Sequence, residues 1–409
     1  MNPWRGLNKL PRELWILSTT TLVNRVGTMA LPFLILYLTQ SRGLSAGRAG
    51  LVVTVYGLGA LVTAPLAGRL SDRVGALVIM KSSLFLTGAL LFVFPLARSL
   101  AAIFVLTFIW AIVSEAFRPA SMATIVDLVT PEQRKAGFAL HRLAANLGMS
   151  IGPAVGGFLA TLSFKALFFV DGATAILAGT VLAASRWPVA PAAARAEAKS
   201  KAVAGVSNQR RGILTDHAFL WFLAAMLPVV MVFFQYQSSM PLFLVRDLHL
   251  TESHYGLLFT INTLMVVLFE VPLNSATAHW PHRLSLALGA SLCGIGFGSM
   301  TFARGFAGVT AAAVIWTFAE IILFPCAAAY AAEIADPERR GQYMGIFQMT
   351  FSLAFVIGPW AGTNLLEHFG ARMLWGTTFI CSAVSAAMLA RVALKHAEVK
   401  QEIETELAS

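Results

Sequence analysis

Long apolar runs alternate along the whole chain with short stretches that hold most of the charges. A helix rising 1.5 Å per residue needs about 20 residues to cross a hydrocarbon core of roughly 30 Å, so each run predicts a membrane-spanning helix. The predicted helices cover residues 14–39, 47–70, 77–97, 101–127, 138–161, 165–186, 217–245, 253–274, 283–303, 306–333, 341–363 and 372–394. The pattern predicts an all-α integral membrane fold with twelve transmembrane helices.

The second half of the chain repeats the first at an interval of 206 residues. Ile151-Gly152-Pro153 recurs as Ile357-Gly358-Pro359. The same interval pairs Thr54 with Thr260, Trp110 with Trp316 and Pro119 with Pro325. Because six spans per half give both halves the same orientation, we expect two pseudo-symmetric six-helix bundles related by an axis along the membrane normal.

The bundles are separated by a stretch rich in Ala, Lys and Arg that is almost empty of large apolar residues. We predict an N-terminal bundle over 1–187, a cytoplasmic linker over 188–215, a C-terminal bundle over 216–394 and a cytoplasmic tail over 395–409.

Composition supports a membrane protein and its charge gives the orientation. Hydrophobic residues make up 57% of the 409 residues, charged residues 12%, and the mean hydropathy is +0.72. Taken alone, the net charge of +10 suggests a protein that binds nucleic acid. However, 21 of the 30 basic residues fall on the side of the termini and 7 on the other. This asymmetry predicts both termini in the cytoplasm of a multi-pass cell (inner) membrane protein, with no nucleic-acid partner.

Several functional classes are disfavoured by what the sequence lacks. Cys293, Cys326 and Cys381 sit in separate apolar runs without metal-ligand spacing, so neither a metal site nor a disulfide framework is expected. No GxxxxGK[ST] motif and no Ser/His/Asp constellation is present, which disfavours ATP coupling and enzymatic activity. No cofactor beyond a proton gradient is expected, and the first span has no cleavage site, so it is a retained helix.

A glycine-rich stretch in the fifth span has the character of a packing hinge. Gly148, Gly152 and Gly156 recur every fourth position, so they share one helix face and allow another backbone to approach closely. Pro153 removes an intrahelical donor and frees a carbonyl that neighbouring groups must satisfy.

Two motifs resemble one transporter family. Gly68-Arg-Leu-Ser-Asp72-Arg73-Val-Gly75 resembles the first half of the GxxxDRxGRR signature of the major facilitator superfamily. The stretch from Gly148 to Gly157 resembles the GxxxGPxxGG motif of the drug:proton antiporter branch. The Asn24-Arg25 pair in the first helix resembles the subgroup of exporters that handle drugs and small dipeptides. The resemblance implies that the protein is a twelve-helix exporter of multiple drugs or small peptides.

The resemblance also implies a gating charge relay between the loop after the second helix and Asp127. Ala76 and Leu77 stand where the signature has basic residues, so Arg73 or Arg134 would have to substitute. Glu333 matches Asp127 at the interval of 206. The gating and motif residues are then Gly68, Asp72, Arg73, Gly75, Asp127, Gly148, Gly152, Pro153, Gly156, Gly157 and Glu333.

Charged residues inside the spans are the strongest functional candidates. Arg25 lies about 17 Å into the first helix, where a charge needs a partner or water. It is expected either to attract a substrate or coupling carboxylate, or to bind backbone carbonyls. Glu115 and Arg118 are three apart on one helix and form either a structural pair or, when separated, a proton site at Glu115.

Three further carboxylates are proton-coupling candidates beside Glu115. Glu320 lies about 21 Å into the tenth helix with no basic residue within a turn, so loss of water would leave it protonated. Glu270 is similar unless it is hydrated near the cytoplasmic surface. Asp171, six residues beyond Lys165, has a local ion pair as its structural alternative.

By the resemblance, substrate contacts come from the first, fourth, seventh and tenth helices. The candidates are Asn24, Arg25, Trp110, Arg118, Gln235, Tyr236 and Trp316. For the aromatic residues and Gln235, ordinary helix packing is the alternative.

We therefore expect a monomeric secondary transporter in membrane lipid that exports drug-like or small peptidic compounds in exchange for protons. One alternative is a proton-coupled importer of a small nutrient or peptide, against which the Gly148 to Gly157 motif argues. The other is a non-transporting membrane receptor or scaffold, which the lack of a sizeable soluble domain disfavours.

Overall fold

The computed structural model describes residues 10–130, 133–187, 215–335 and 339–408, and within these ranges every regular element is a helix. The first six spans are α1 (Arg12–Ser41), α2 (Ala46–Val74), α3 (Ala76–Leu96), α4 (Leu100–Leu128), α5 (Arg134–Leu162) and α6 (Phe164–Ala184). The next four are α7 (His217–Gln237 continued by Ser239–Leu242 and Phe243–Asp247), α8 (Glu252–Ala276), α9 (His282–Phe302) and α10 (Phe306–Ile334).

The remaining helical segment contains two spans. Its apolar part, Arg340–Arg391, is 52 residues long, more than twice what a bilayer needs. The backbone turns at Gly370, where φ is 77° and only glycine is comfortable. Residues 340–369 are therefore α11 and residues 371–408 are α12. The predicted all-α fold with twelve spans is confirmed, and the predicted bounds of the first ten spans differ by at most four residues.

Three helices are broken where the apolar pattern predicted continuous spans. The helix is interrupted at Met29 in α1, at Ala116 in α4 and at Ser238 in α7, and the backbone leaves the helical conformation at Met29 and Ser238. Each break lies three residues before a proline, namely Pro32, Pro119 and Pro241. A proline removes one backbone bond and crowds the preceding turn, which accounts for the position of the breaks. Helix continues through Pro153, Pro228, Pro272, Pro325 and Pro359, so a proline alone does not predict a break.

The two halves pack in the same way. α1 packs against α5 and α6, just as α7 packs against α11, and the halves meet where α5 contacts α8 and α2 contacts α11. The domain limits themselves stay predictions, and residues 188–214 of the predicted linker lie outside the described part of the chain.

Among the described residues, the hydrophobic core that joins the two halves lies toward one end of the molecule. We call the end where α1 begins the terminal face and the other end the opposite face. One buried cluster joins the two bundles, with Phe33 and Tyr255 in edge-to-face contact at 5.2 Å. A second cluster, around Leu14, Met80 and Phe117, belongs to the N-terminal half alone and lies toward the terminal face. The bundles are thus sealed toward the opposite face.

Two threonine hydroxyls hold this seal in a symmetric way. Thr54 on α2 donates to the carbonyl of Val356 on α11 at 2.6 Å, and Thr260 on α8 donates to the carbonyl of Ser150 on α5 at 2.7 Å. Both acceptors lie three residues before the proline of the repeated Ile-Gly-Pro segment. Each hydroxyl satisfies a carbonyl in the turn that a proline interrupts.

Removing these hydroxyls is expected to weaken the seal. Thr54→Val and Thr260→Val keep the side-chain shape, and each lost bond is worth about 0.6 kcal/mol between membrane helices, or roughly threefold in an equilibrium. In a cysteine-free background carrying Ser150→Cys, we expect each valine to raise labelling by an impermeant maleimide by about threefold, with multiplied effects in the double variant.

Thr180→Val is the matched control for these variants, because its hydroxyl bonds only within its own helix, to the carbonyl of Ile176 at 2.8 Å. Equal labelling of Thr180→Val and Thr260→Val would contradict a role for the hydroxyls in the seal.

Candidate functional site

A cavity of about 710 Å³ lies between the halves near the terminal face, walled by α5, α8, α9 and α10. Its polar wall residues include Arg142, Asn146, Glu270, Asn274, His282 and Ser285, and the rest of the wall is mostly apolar. Its size suits a small molecule.

An ion pair crosses between the halves at this cavity. The Arg142 guanidinium on α5 binds the Glu270 carboxylate on α8, and the two side chains are 58% and 14% exposed. Glu270 is therefore neither the isolated nor the simply hydrated carboxylate that the sequence suggested. The pair fastens the bundles together on the terminal side.

Breaking this pair is expected to open the terminal side. Glu270→Gln or Arg142→Gln should raise maleimide labelling of Asn146→Cys, in the cavity wall, by about two- to fivefold, the range for a partly exposed pair. The exchanged pair, Arg142→Glu with Glu270→Arg, should return labelling to the starting level. Failure of the exchange, with both single variants raised, would show that each side chain acts through other contacts.

Glu320 on α10 lies deeper than the cavity wall. The four α10 residues in the wall, Ile322, Pro325, Cys326 and Ala329, are all on its terminal side. The amide of Asn262 on α8 donates to its Oε2 at 2.8 Å and to the hydroxyl of Thr317 at 3.0 Å. No ion pair to Glu320 occurs among the described residues, although Arg142 lies within electrostatic range.

Aromatic rings pack beside Glu320. Trp316, one turn earlier on α10, contacts Phe233 and Tyr236 of α7, each at 5.9 Å between ring centroids. Trp316 is 2% exposed, and its indole N–H has no hydrogen-bond partner in the part of the chain that the structure describes. Tyr236 is half-buried, and its hydroxyl is bonded by Gln237. The carboxylate thus lies beside a largely apolar wall.

The N-terminal half carries a second polar cluster. The Tyr56 hydroxyl on α2 donates to the Glu115 carboxylate at 3.0 Å and lies 3.0 Å from the Ser114 hydroxyl. Trp110 packs edge-to-face on Tyr56 at 5.1 Å. Arg25 lies within electrostatic range of Tyr56. A cation and a carboxylate of the N-terminal half thus act on the same tyrosine.

The two clusters are related by the internal repeat. Tyr56 corresponds to Asn262, Ser114 to Glu320 and Trp110 to Trp316, each at the interval of 206. In both halves a side chain of the α2-type helix is hydrogen-bonded to the side chain that lies one turn after the tryptophan on the α4-type helix. The hydrogen-bonded framework is therefore shared, and its charges differ.

Arg25 lies two residues before the end of the first segment of α1, which closes at Gly27. The glycine face of α5 packs directly against it. A Cβ at Gly152 would lie 2.8 Å from the Arg25 carbonyl oxygen and 2.9 Å from that of Val26. At Gly152 the backbones of α1 and α5 approach closely, as expected for the glycine stretch. Asn24, beside Arg25, is half-buried.

One predicted ion pair does not occur, and one substrate-binding candidate is buried. The Glu115 and Arg118 side chains, on either side of the interruption at Ala116, do not form an ion pair, and Arg118 is exposed. Gln235 is 4% exposed, with its amide donating to the carbonyls of Met231 and Gly358 and accepting from Ser239. These bonds tie the interruption in α7 to α11, and a substrate contact of Gln235 stays a prediction.

Asp171 on α6 is 6% exposed and does not pair with Lys165. Its Oδ2 instead accepts hydrogen bonds from the backbone N–H groups of Met29 at 3.1 Å and Ala30 at 2.9 Å. The carboxyl group therefore caps the break in α1.

The gating candidates outside the glycine stretch of α5 lie near the terminal face. Gly75 joins α2 to α3 with φ at 95°, a conformation that favours glycine. Arg73 and Asp127 are exposed, and the Glu333 carboxylate binds the His282 ring nitrogen Nε2 at 2.8 Å. Gly68 and Asp72 lie in α2, but the surroundings of Gly68 and of the Asp72 side chain are outside the described part of the structure.

Pattern reading missed Asn262, Tyr56 and Arg142. The first two could have been found by extending the repeat from the tryptophans to the neighbouring polar positions. The sequence gives no signal that marks Arg142, because a basic residue near a helix end is equally typical of a solvated side chain.

Two pseudo-symmetric helical bundles, sealed at one face and enclosing half-buried charges, define a membrane transporter. The sequence model of the Major Facilitator Superfamily matches residues 17–251 and 236–407. The chain belongs to this superfamily, whose members are transporters and not enzymes.

Relatives and solved structures agree with this family. The MFS-type transporter YqjV of Bacillus subtilis (strain 168) is 26% identical over 407 residues, which cover 98% of this chain and 97% of that protein. Multidrug resistance protein 1 of the same bacterium is 24% identical over 331 residues, covering 79% and 82%. The crystal structure of peptide transporter POT shares the fold, with a TM-score of 0.80 over 96% of each chain at 17% identity.

Proposed function

We propose that this chain is a secondary transporter that exports drug-like or small peptidic compounds in exchange for protons. The observation that carries the proposal is Glu320, a half-buried carboxylate held by Asn262 without an ion pair in the described part of the chain. Such a group changes its protonation when water or a charged ligand enters or leaves its surroundings.

The direction of exchange follows from a cytoplasmic terminal face, which the positive-inside asymmetry supports. The cavity then opens toward the cytoplasm. A compound enters the cavity, contacts its mostly apolar wall and moves on toward Glu320. Protons taken up by Glu320 from the opposite side favour return of the empty carrier, and substrate binding favours their release. Both bundles come from one chain, so the mechanism needs no second copy.

Arg25 and Glu115 supply the opposite wall of the binding site. Their charges lie in the N-terminal half, so a compound bound between the halves meets Arg25 on one side and Glu320 on the other. Glu115, bonded by Tyr56, is the alternative coupling carboxylate.

Everted membrane vesicles test this function. Added compounds, namely cationic dyes, antibiotics and dipeptides, should collapse a preformed pH gradient, followed with a fluorescent amine, only in vesicles that contain the protein. Counterflow in the same vesicles gives the direction. If a compound instead accumulates in the same direction as the protons that move down their gradient, the protein is an importer of a small nutrient or peptide.

A further inference from the structure

The break in α1 is held on its N–H side by one side chain from another helix. The backbone turns between Gly27 and Ala30, so Met29 and Ala30 point their N–H groups out of the helix. Pro32, which has no N–H, leaves the carbonyl of Thr28 without its intrahelical donor. A single oxygen of Asp171 accepts both exposed N–H groups.

Helix α6 supports the two segments of α1 at once. The Thr174 side chain fills the space beside Gly27, at the end of the first segment. Phe168 packs edge-to-face on Tyr37 at 4.8 Å, in the second segment. Asp171 lies between these two contacts in sequence, so α6 fixes both the position and the angle of the break.

Helix α5 supports the same break from its carbonyl side. Gly152 lies against the carbonyls of Arg25, Val26 and Thr28, and Gly148 lies against the Cβ of Arg25. Arg25 therefore emerges from a backbone that is fixed on both sides, by glycines from α5 and by a carboxyl group from α6.

We propose that Asp171 is a positioning residue: by capping the break in α1, it sets where Arg25 stands in the central site, and it does not carry the coupled proton. One oxygen accepts both bonds, so the cap requires an acceptor at that position and no negative charge. An asparagine can supply the same oxygen. A glutamate is one methylene longer and cannot place its carboxyl group there without moving α1 or α6.

The inference rests on the chain being a transporter and not on its substrate. Purified protein in detergent, compared by hydrogen exchange over peptides spanning 26–36, gives a readout that needs no substrate. We expect Asp171→Asn to keep the protection of the Met29 and Ala30 amides. Asp171→Ala and Asp171→Glu should exchange faster by roughly tenfold, because the two buried amides lose their acceptor.

Transport separates positioning from proton carriage. With ethidium as the probe in everted vesicles, Asp171→Asn should keep more than about half of the wild-type rate with an unchanged pH profile, and Asp171→Glu less than about a tenth. A proton carrier requires the reverse order, active glutamate and inactive asparagine. That reversal, equal activity of both variants, or loss in both with native protection would each overturn the proposal.

Failure of the proposed function is distinguishable from failure of this inference. If ethidium does not collapse the gradient even with the wild-type protein, the coupling proposal loses support. The exchange rates of the three Asp171 variants still decide whether the cap exists.

Discussion

Glu320→Gln is expected to abolish coupling between substrate and protons. Glutamine keeps the shape of the side chain and can accept the hydrogen bond from Asn262, but it cannot take up or release a proton. A compound that collapses the pH gradient with the wild-type protein should cause no collapse with Glu320→Gln, a loss of at least about a hundredfold in the coupled rate. Downhill counterflow of the same compound should persist, because exchange without net proton movement needs no titrating group.

Glu115→Gln is the matched control for this variant. Glu115 is also a half-buried carboxylate, it lies next to Ser114, the counterpart of Glu320 in the internal repeat, and it has Tyr56 in place of Asn262 as its donor. We expect it to keep coupling and to change substrate affinity by several-fold. Collapse of the gradient by Glu320→Gln at the wild-type rate would refute the assignment, and loss only in Glu115→Gln would transfer it to the N-terminal half.

Gly152→Ala is expected to reduce export far more than Gly358→Ala. A methyl group at Gly152 would meet the backbone carbonyls of Arg25 and Val26 at 2.8 and 2.9 Å, and backbone cannot move aside as a flexible side chain can. At Gly358 the nearest atom is the Met231 carbonyl at 3.0 Å, followed by contacts at 3.4 and 3.5 Å. Overpacking of 1–3 kcal/mol at Gly152 predicts roughly a tenfold loss of transport or more.

The comparison needs a glycine that tests helix propensity alone. Gly376 on α12 has open space where its Cβ would lie, so Gly376→Ala should transport at the wild-type rate. Gly358→Ala should stay within about twofold to threefold of it. Transport by all three variants at similar rates, with equal amounts in the membrane, would show that the glycine face of α5 is not under steric constraint.

The positions of the spans followed from the sequence because length and apolar content are local properties. The breaks in α1, α4 and α7 could not be predicted in this way, since whether a proline breaks a helix depends on which groups form hydrogen bonds with the backbone around it. At Pro153 the helix continues, with Thr260 bonded to a carbonyl in the same turn. At Pro32 it breaks, and Asp171 from α6 takes the exposed N–H groups. In both places a side chain from a distant helix forms the hydrogen bond.

Charged candidates were recognisable as residue types, but their partners were not. Arg25 and Glu320 stand out because charges inside apolar runs are costly. The partner of Glu270 is Arg142, 128 positions away, and that of Asp171 is backbone more than 140 positions away. The internal repeat was the one long-range signal available, and it does relate Tyr56 to Asn262 and Thr54 to Thr260.

The repeat has a further consequence at Arg25 and Glu320. The counterpart of Arg25 in the other half is Met231, and the counterpart of Glu320 is Ser114. Two identical halves would have presented the same charge from both sides of the axis between them, and such a site would be blind to which way round a molecule sits. If Arg25 and Glu320 line the proposed binding site, its two sides differ in charge, and a polar molecule would bind in one orientation parallel to the membrane plane. Rocking of the halves would expose that molecule to the other compartment without reversing its orientation, so it would cross without turning end over end.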